Sequence, residues 1–264
     1  MIESSNRPTA LFVSPHLDDV AFSCGGTFAL LAREGWKTVL VTVFTRSVPG
    51  PAGFALACQT DKGLLPEVDY MALRREEDRE AARHLGAGET VWLDLPEAPH
   101  RGYNSAPEMF AGVLKRDEAW RDVAGLLEEL LQTHAPKVIF APQALGDHAD
   151  HLQVVRAVRE LSITPNAGVA WYRDAPYATR NPGSRPSPLL PSGLSEGAVG
   201  IAATLEAKLD ACASYKTQLG FQFGGKENMR EALTTFAADE ARRLVSRTTA
   251  AEVMLSPESV LPFR

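Results

Sequence analysis

Short apolar, β-branched runs alternate along this chain with helical stretches, and that alternation restricts the fold more than any other feature. Residues 10–14 (ALFVS) read as a buried strand ending at Pro15, and 27–34 as a helix closed by Gly35. Residues 37–45 (KTVLVTVFT) give a second strand, 90–95 (TVWLDL) a third, 137–141 (KVIFA) a fourth and 168–172 a fifth. Amphipathic helices are expected over 71–85, 118–134, 151–161 and 205–215, the first of them capped by Gly86. The Gly- and Pro-containing segments 46–70 and 179–193 read as loops, and no element is assigned beyond Tyr215. Strands separated by helices cannot be joined as hairpins. They require crossover connections, hence βαβ units and a mostly parallel sheet. The expected architecture is therefore α/β and Rossmann-like, with helices on both faces and the active site at the carboxyl ends of the strands. No repeat or domain-sized linker interrupts it, so one domain is expected across residues 1–264.

Composition narrows the partners. With a net charge of −6 and no Lys/Arg block, the chain lacks the electrostatic footprint of a nucleic-acid binder, and a small-molecule ligand is expected. No run approaches the roughly 18 apolar residues of a membrane helix. Residues 1–15 lack the charged-then-apolar plan of a signal peptide, and Cys24, Cys58 and Cys212 are scattered without CxxC spacing. A cytoplasmic location with reduced thiols is the expectation.

Chemistry concentrates at two strand ends. The first strand runs into Ser14-Pro15-His16-Leu17-Asp18-Asp19, and the fourth leads to Asp147-His148-Ala149-Asp150-His151. Three of the six histidines thus sit beside carboxylates just past buried strands. Imidazole and carboxylate are the ligands zinc accepts when thiolate is absent, and a catalytic zinc takes three protein ligands plus water. Two ligands from the first strand end and one from the fourth supply such a set, leaving a carboxylate and a histidine for proton transfer. The same two-histidine, one-carboxylate set also describes an iron(II) oxygenase. The Gly25-Gly26 pair lacks Gly-x-Gly-x-x-Gly spacing and follows acidic residues, so it reads as close packing of a turn on a helix, not a dinucleotide site.

These residues resemble the LmbE-like, or PIG-L, family of zinc-dependent N-acetylglucosaminyl deacetylases. Pro15-His16-Leu17-Asp18-Asp19 with Gly25-Gly26-Thr27 is similar to one family signature, and His148-Ala149-Asp150-His151 to another, with Leu17 and Ala149 replacing the usual prolines. Arg74-Arg75-Glu76-Glu77, the segment Trp171 to Tyr177, Lys208 and Tyr215-Lys216-Thr217-Gln218 extend the likeness; Arg173 stands where the family usually has Glu. The resemblance implies that His16, Asp19 and His151 bind Zn2+ or another divalent ion, that Asp18 is the general base, and that Arg74 binds a polar part of the substrate. The alternative for Arg74 is a solvated helix pair with Glu77 or Asp78. A protonated His148, charged and oriented by Asp150, is the expected partner of the oxyanion. Asp94, at the end of the third strand, is a candidate for sugar hydroxyls or for a turn, with Arg101 and Tyr103 beyond it. Trp171 is a candidate for stacking on a sugar ring. The implied reaction is metal-dependent removal of acetyl from an N-acetylated amino sugar. A non-catalytic carbohydrate-binding protein of the same fold is the other alternative.

Overall fold

Thr9–Ser14 forms β1, and the sheet adds β2 (Lys37–Phe44), β3 (Glu89–Leu95), β4 (Val138–Pro142), β5 (Gly168–Tyr172), β6 (Ser195–Gly200) and β7 (Ala251–Ser256). The coordinates are a computed structural model describing residues 7–161, 167–244 and 247–257. Strand order is β3-β2-β1-β4-β5-β7-β6. The first five strands pair in parallel, while β7 runs antiparallel to both β5 and β6. This is the predicted mixed α/β, mostly parallel sheet, and each of the five anticipated strands forms within one residue of its expected ends.

Helices α1 (Asp19–Arg33), α2 (Gly53–Thr60), α3 (Tyr70–Leu85), α4 (Ala106–Met109), α5 (Ala119–His134) and α6 (Ala149–Leu161) punctuate the first half. α7 (Ala175–Arg180), α8 (Leu205–Ala213), α9 (Lys216–Phe223) and α10 (Lys226–Leu244) complete the second. Alternate residues of β1 serve opposite faces, as strand geometry requires. Ala10 and Phe12 join one core with α1, α3 and α8, whereas Leu11 and Val13 join another with α5 and α6. Burial on both faces explains why β1 reads as unbroken apolar sequence rather than alternation. Phe12 ties the first core together, stacking on Phe140 at 4.2 Å and against Phe28 at 4.4 Å between ring centroids.

Several expectations change. The helix expected at 27–34 begins eight residues earlier, at Asp19, and breaks at Cys24 (φ −131°, ψ 24°). The break frees backbone N–H groups of Gly26 and Thr27, and both donate to the Glu252 carboxylate, at 2.9 and 2.7 Å. Lys208 Nζ lies 2.7 Å from the same carboxylate, so a fully buried ion pair closes the kink. A Cβ on Gly26 would stand 2.7 Å from Ile201 Cδ1, so the glycine pair does serve close packing. The segment 46–70 is not all loop, because it holds α2. The region beyond Tyr215 holds α9, α10 and β7. Trp171 is 1% exposed within the second core, which removes it as a sugar-stacking surface.

Candidate active site

The chain runs outward from β1 through β2 to β3, then returns to place β4 on the other side of β1. The switch point of the sheet therefore lies between β1 and β4, whose registers match Phe12 to Phe140. Ligands in open α/β sheets bind at the carboxyl ends beside such a point. Both ionisable motifs leave the sheet there.

After β1 the turn is tightly tied. Ser14 Oγ donates to the His16 carbonyl at 2.6 Å and accepts from Val20 N at 3.1 Å. The His16 backbone N–H donates to Asp19 Oδ2 at 2.8 Å, fixing that carboxylate beside its neighbouring imidazole. After β4, Ala144 (φ 55°) and Asp147 (φ 59°) take left-handed conformations that few non-glycine residues adopt. Such backbone gathers at functional sites because the surroundings must impose it. The turn delivers His148 and then Asp150 and His151 in the first turn of α6.

His16 Nδ1 lies 3.2 Å from Asp19 Oδ2, and His151 Nε2 lies 3.3 Å from the same oxygen. Each ring carries a carboxylate on its other nitrogen. Asp150 Oδ2 is 3.0 Å from His16 Nε2, and Asp174 Oδ1 is 2.6 Å from His151 Nδ1. Donor atoms of His16, Asp19 and His151 all fall within 4.8 Å of one another, as do those of His16, His148 and Asp150. Burial opposes charge on both His16 and His151. The adjoining carboxylates outweigh it, lifting His16 well above the usual histidine range and His151 to about 9.

Asp18 is 5% exposed. Burial raises its pKa to about 7, against the opposing pull of the Arg74 guanidinium 3.5 Å away. Arg74 is itself buried, pairs with Glu97 at 2.7 Å and donates to the Leu17 carbonyl at 3.2 Å. It faces the site and is not paired with Glu77 or Asp78, which instead bind Thr217 and the Trp92–Tyr215 pair. Asp18, Asp19, His16, His148, Asp150 and Arg74 line one cavity of about 330 Å³.

Two expectations are corrected. Asp150 does not charge His148. Residues two apart on a helix point to different sides, and only the Asp150 backbone N–H reaches His148, donating to Nδ1 at 3.1 Å. The Asp150 carboxylate turns to His16, to the Ala98 N–H at 3.0 Å and to Arg101 at 2.7 Å. Burial, and then the neighbouring His16, push the His148 pKa well below the usual histidine range and outweigh the upward pull of Asp150. Nδ1 accepts the Asp150 N–H, which leaves Nε2 as the nitrogen able to donate. Asp94 also falls outside the site. Its side chain is 70% exposed and pairs with Arg46, because β3 is the edge strand beyond β2.

Other residues enter the site to which sequence alone assigned no specific role. Asp174 supports His151, Arg101 supports Asp150 and is itself held by Asp117, and the Tyr177 ring packs edge-on to that of His151 with centroids 5.5 Å apart. Arg173, next to Asp174, points away and pairs with Glu240 at 2.7 Å. The Trp171–Tyr177 segment, whose one acidic residue is Asp174, held the signal for it, but only the fold shows which imidazole it meets.

The family model described as GlcNAc-PI de-N-acetylase (PIG-L) matches residues 11–162. A protein of Streptomyces fradiae, "2'-N-acetylparomamine deacetylase", is 35% identical over 177 residues, covering 67% of this chain and 60% of that protein. This chain thus spans less than two thirds of that relative. A protein of the same name from Niallia circulans is 28% identical over 242 residues and 84% of each chain. Among solved structures, the A40926 pseudoaglycone deacetylase Dbv21 superposes with a TM-score of 0.79 at 25% identity, over 95% of this chain and 97% of that one.

Proposed function

The chain belongs to the PIG-L, or GlcNAc-PI de-N-acetylase, family, and from that premise we propose that it is a metal-dependent hydrolase removing acetyl from an N-acetylated amino sugar. The observation that carries this reading is the convergence of His16 Nδ1 and His151 Nε2 on Asp19 Oδ2, at the edge of the cavity that His16, Asp19 and buried Asp18 line. Two donors each about 2.0–2.1 Å from a tetrahedral ion stand about 3.3–3.4 Å apart, and the observed separations are 3.2 and 3.3 Å. His151 Nε2 is buried without a hydrogen-bond partner, as befits a nitrogen reserved for a metal. The competing set with His148 and Asp150 is disfavoured, since Asp150 is already engaged by His16, Arg101 and Ala98. Carboxylates behind both imidazoles fix ring orientation and tautomer in the manner of metal-binding histidines.

A divalent ion held there supplies a Lewis acid for the amide carbonyl and lowers the pKa of water towards about 7. Asp18, with its pKa near neutrality, accepts a proton from the attacking water and returns it to the leaving nitrogen as the C–N bond breaks. Arg74 holds Asp18 in place and offsets its charge. His148 presents a neutral Nε2–H as a donor for the oxyanion that develops on the acetyl oxygen. Proton-transfer groups of this kind favour hydrolysis, which needs both a base and an oxyanion donor, over an oxygenase or a purely binding role. The substrate is a small amino-sugar compound, and residues 1–264 act as one domain. Among the described residues no helix is long and apolar enough to cross a membrane.

Acetate release from N-acetylglucosamine and a panel of its glycosides, with wild type beside Asp18→Ala, tests the proposal. Turnover by wild type that Asp18→Ala abolishes supports it. No turnover of any N-acetyl sugar by the metal-loaded protein refutes it.

A further inference from the structure

The outer half of the cavity differs in character from the metal end. Lys62, just past α2, lines it together with Tyr70 of α3, Phe221 of α9 and Arg180 of α7. The Lys62 ammonium lies 5.3 Å from the Tyr70 ring centroid and 4.9 Å from that of Phe221, and it donates to the Cys58 carbonyl at 2.5 Å. Among the described residues no carboxylate lies within ion-pair distance of it. Arg180 likewise donates only to Gln222, reaching its carbonyl at 2.8 Å. The inner carboxylates are committed: Glu97 and Asp18 to Arg74, and Asp19 and Asp150 to histidines. Asp61 on the rim is exposed.

Lys62 is half-buried, and an ammonium partly withdrawn from water without a counter-ion is costly unless something compensates it. Here two aromatic faces do so in part. Burial, and then the nearby Arg74, push the Lys62 pKa below the usual lysine range against the smaller upward pulls of Glu97 and Asp18, neither of which is in contact with the ammonium. The missing partner is a group that arrives with the ligand.

Resting on the deacetylase reading above, we propose that Lys62 is a specificity-determining residue that receives an anionic substituent on the aglycone of the amino sugar, with Tyr70 and Phe221 flanking its apolar portion. Cationic aglycones are disfavoured by the same ammonium and by Arg180. Attraction at a partly dry site exceeds that between exposed ions and weakens with added salt.

The test uses N-acetylglucosaminides with short, medium and long alkyl aglycones, each ending in a carboxylate, an amide or an ammonium. Affinity is measured by calorimetry on metal-loaded, full-length Asp18→Asn, alone and combined with Lys62→Gln or Lys62→Arg. The expected result is carboxylate binding about tenfold or more tighter than the matched ammonium at one chain length or more, corresponding to about 1.4 kcal/mol. Lys62→Gln reduces that ratio to about one, and Lys62→Arg retains it. Equal affinities across the series, a preference for ammonium, or a ratio that survives Lys62→Gln overturns the assignment. Hydrolysis of the amide-ended glycosides by wild type is scored separately; its failure refutes the deacetylase reading and leaves the binding result to judge Lys62.

Discussion

Asp174 Oδ1 stands 2.6 Å from His151 Nδ1, which leaves Nε2 of the same ring as the nitrogen turned towards Asp19. Arg101 acts one step further back on the other histidine, through Asp150. Partners of this kind set ligand basicity and ring orientation, and losing one weakens metal binding about 10- to 100-fold. Asp174→Asn and Arg101→Gln should each lower zinc affinity by such a factor in competition with a chromophoric chelator. Unchanged affinity in both variants would remove them from the account.

Asp18 sets the expected pH dependence. Burial lifts its carboxyl to about 7, so the base form is lost as pH falls through that value. The rate kcat/KM should therefore drop on an acid limb near neutrality. Arg74 opposes that rise, so Arg74→Gln should move the limb to higher pH. Asp18→Asn should cost about 10²- to 10⁴-fold in kcat while metal stoichiometry holds. A limb that stays put in Arg74→Gln would mean another group controls it.

Asp94 provides the contrasting case. Its exposed carboxylate touches only Arg46 at 3.3 Å, and exposed pairs are worth little. Asp94→Asn, which keeps a residue suited to the left-handed φ of 51° there, should leave kcat/KM within about twofold of wild type and barely change stability. A large loss of activity would show that the β3 edge reaches the substrate after all.

The Lys208–Glu252 pair governs stability instead of chemistry. Lys208→Met leaves the buried Glu252 carboxylate without its counter-ion, held only by the Gly26 and Thr27 donors, a change that costs up to about 3–5 kcal/mol. Urea unfolding measures it directly. A loss below about 1 kcal/mol would mean that the α1 kink does not depend on the pair.

What the sequence made legible was local. β1 and β4 announce themselves because both faces of each are buried, and the residues just past them carry the ionisable groups. Adjacency of the two motifs followed from strand order, which the βαβ pattern constrains. The misreadings came from treating neighbours in sequence as neighbours in space. Asp150 follows His148 closely, yet the helix turns its carboxylate to His16, across 134 residues of sequence. Asp94 lies at the carboxyl end of β3 and Asp19 just beyond that of β1, but β3 is the edge of the sheet. The start of α1 was hidden by Gly25 and Gly26, whose helical placement depends on Glu252, 226 residues beyond Gly26. That same glutamate interrupts the apolar run of β7 and disguised the strand.

The central claim is that His16, Asp19 and His151 hold one catalytic divalent ion. The most direct measurement is acetate release by chelator-treated protein as zinc is added back, with bound metal quantified at each step. The account predicts no turnover without metal, and full activity at one ion per chain that His151→Ala cannot recover. Turnover by the metal-free protein, or one-to-one metal binding that persists undiminished in His151→Ala, would contradict it.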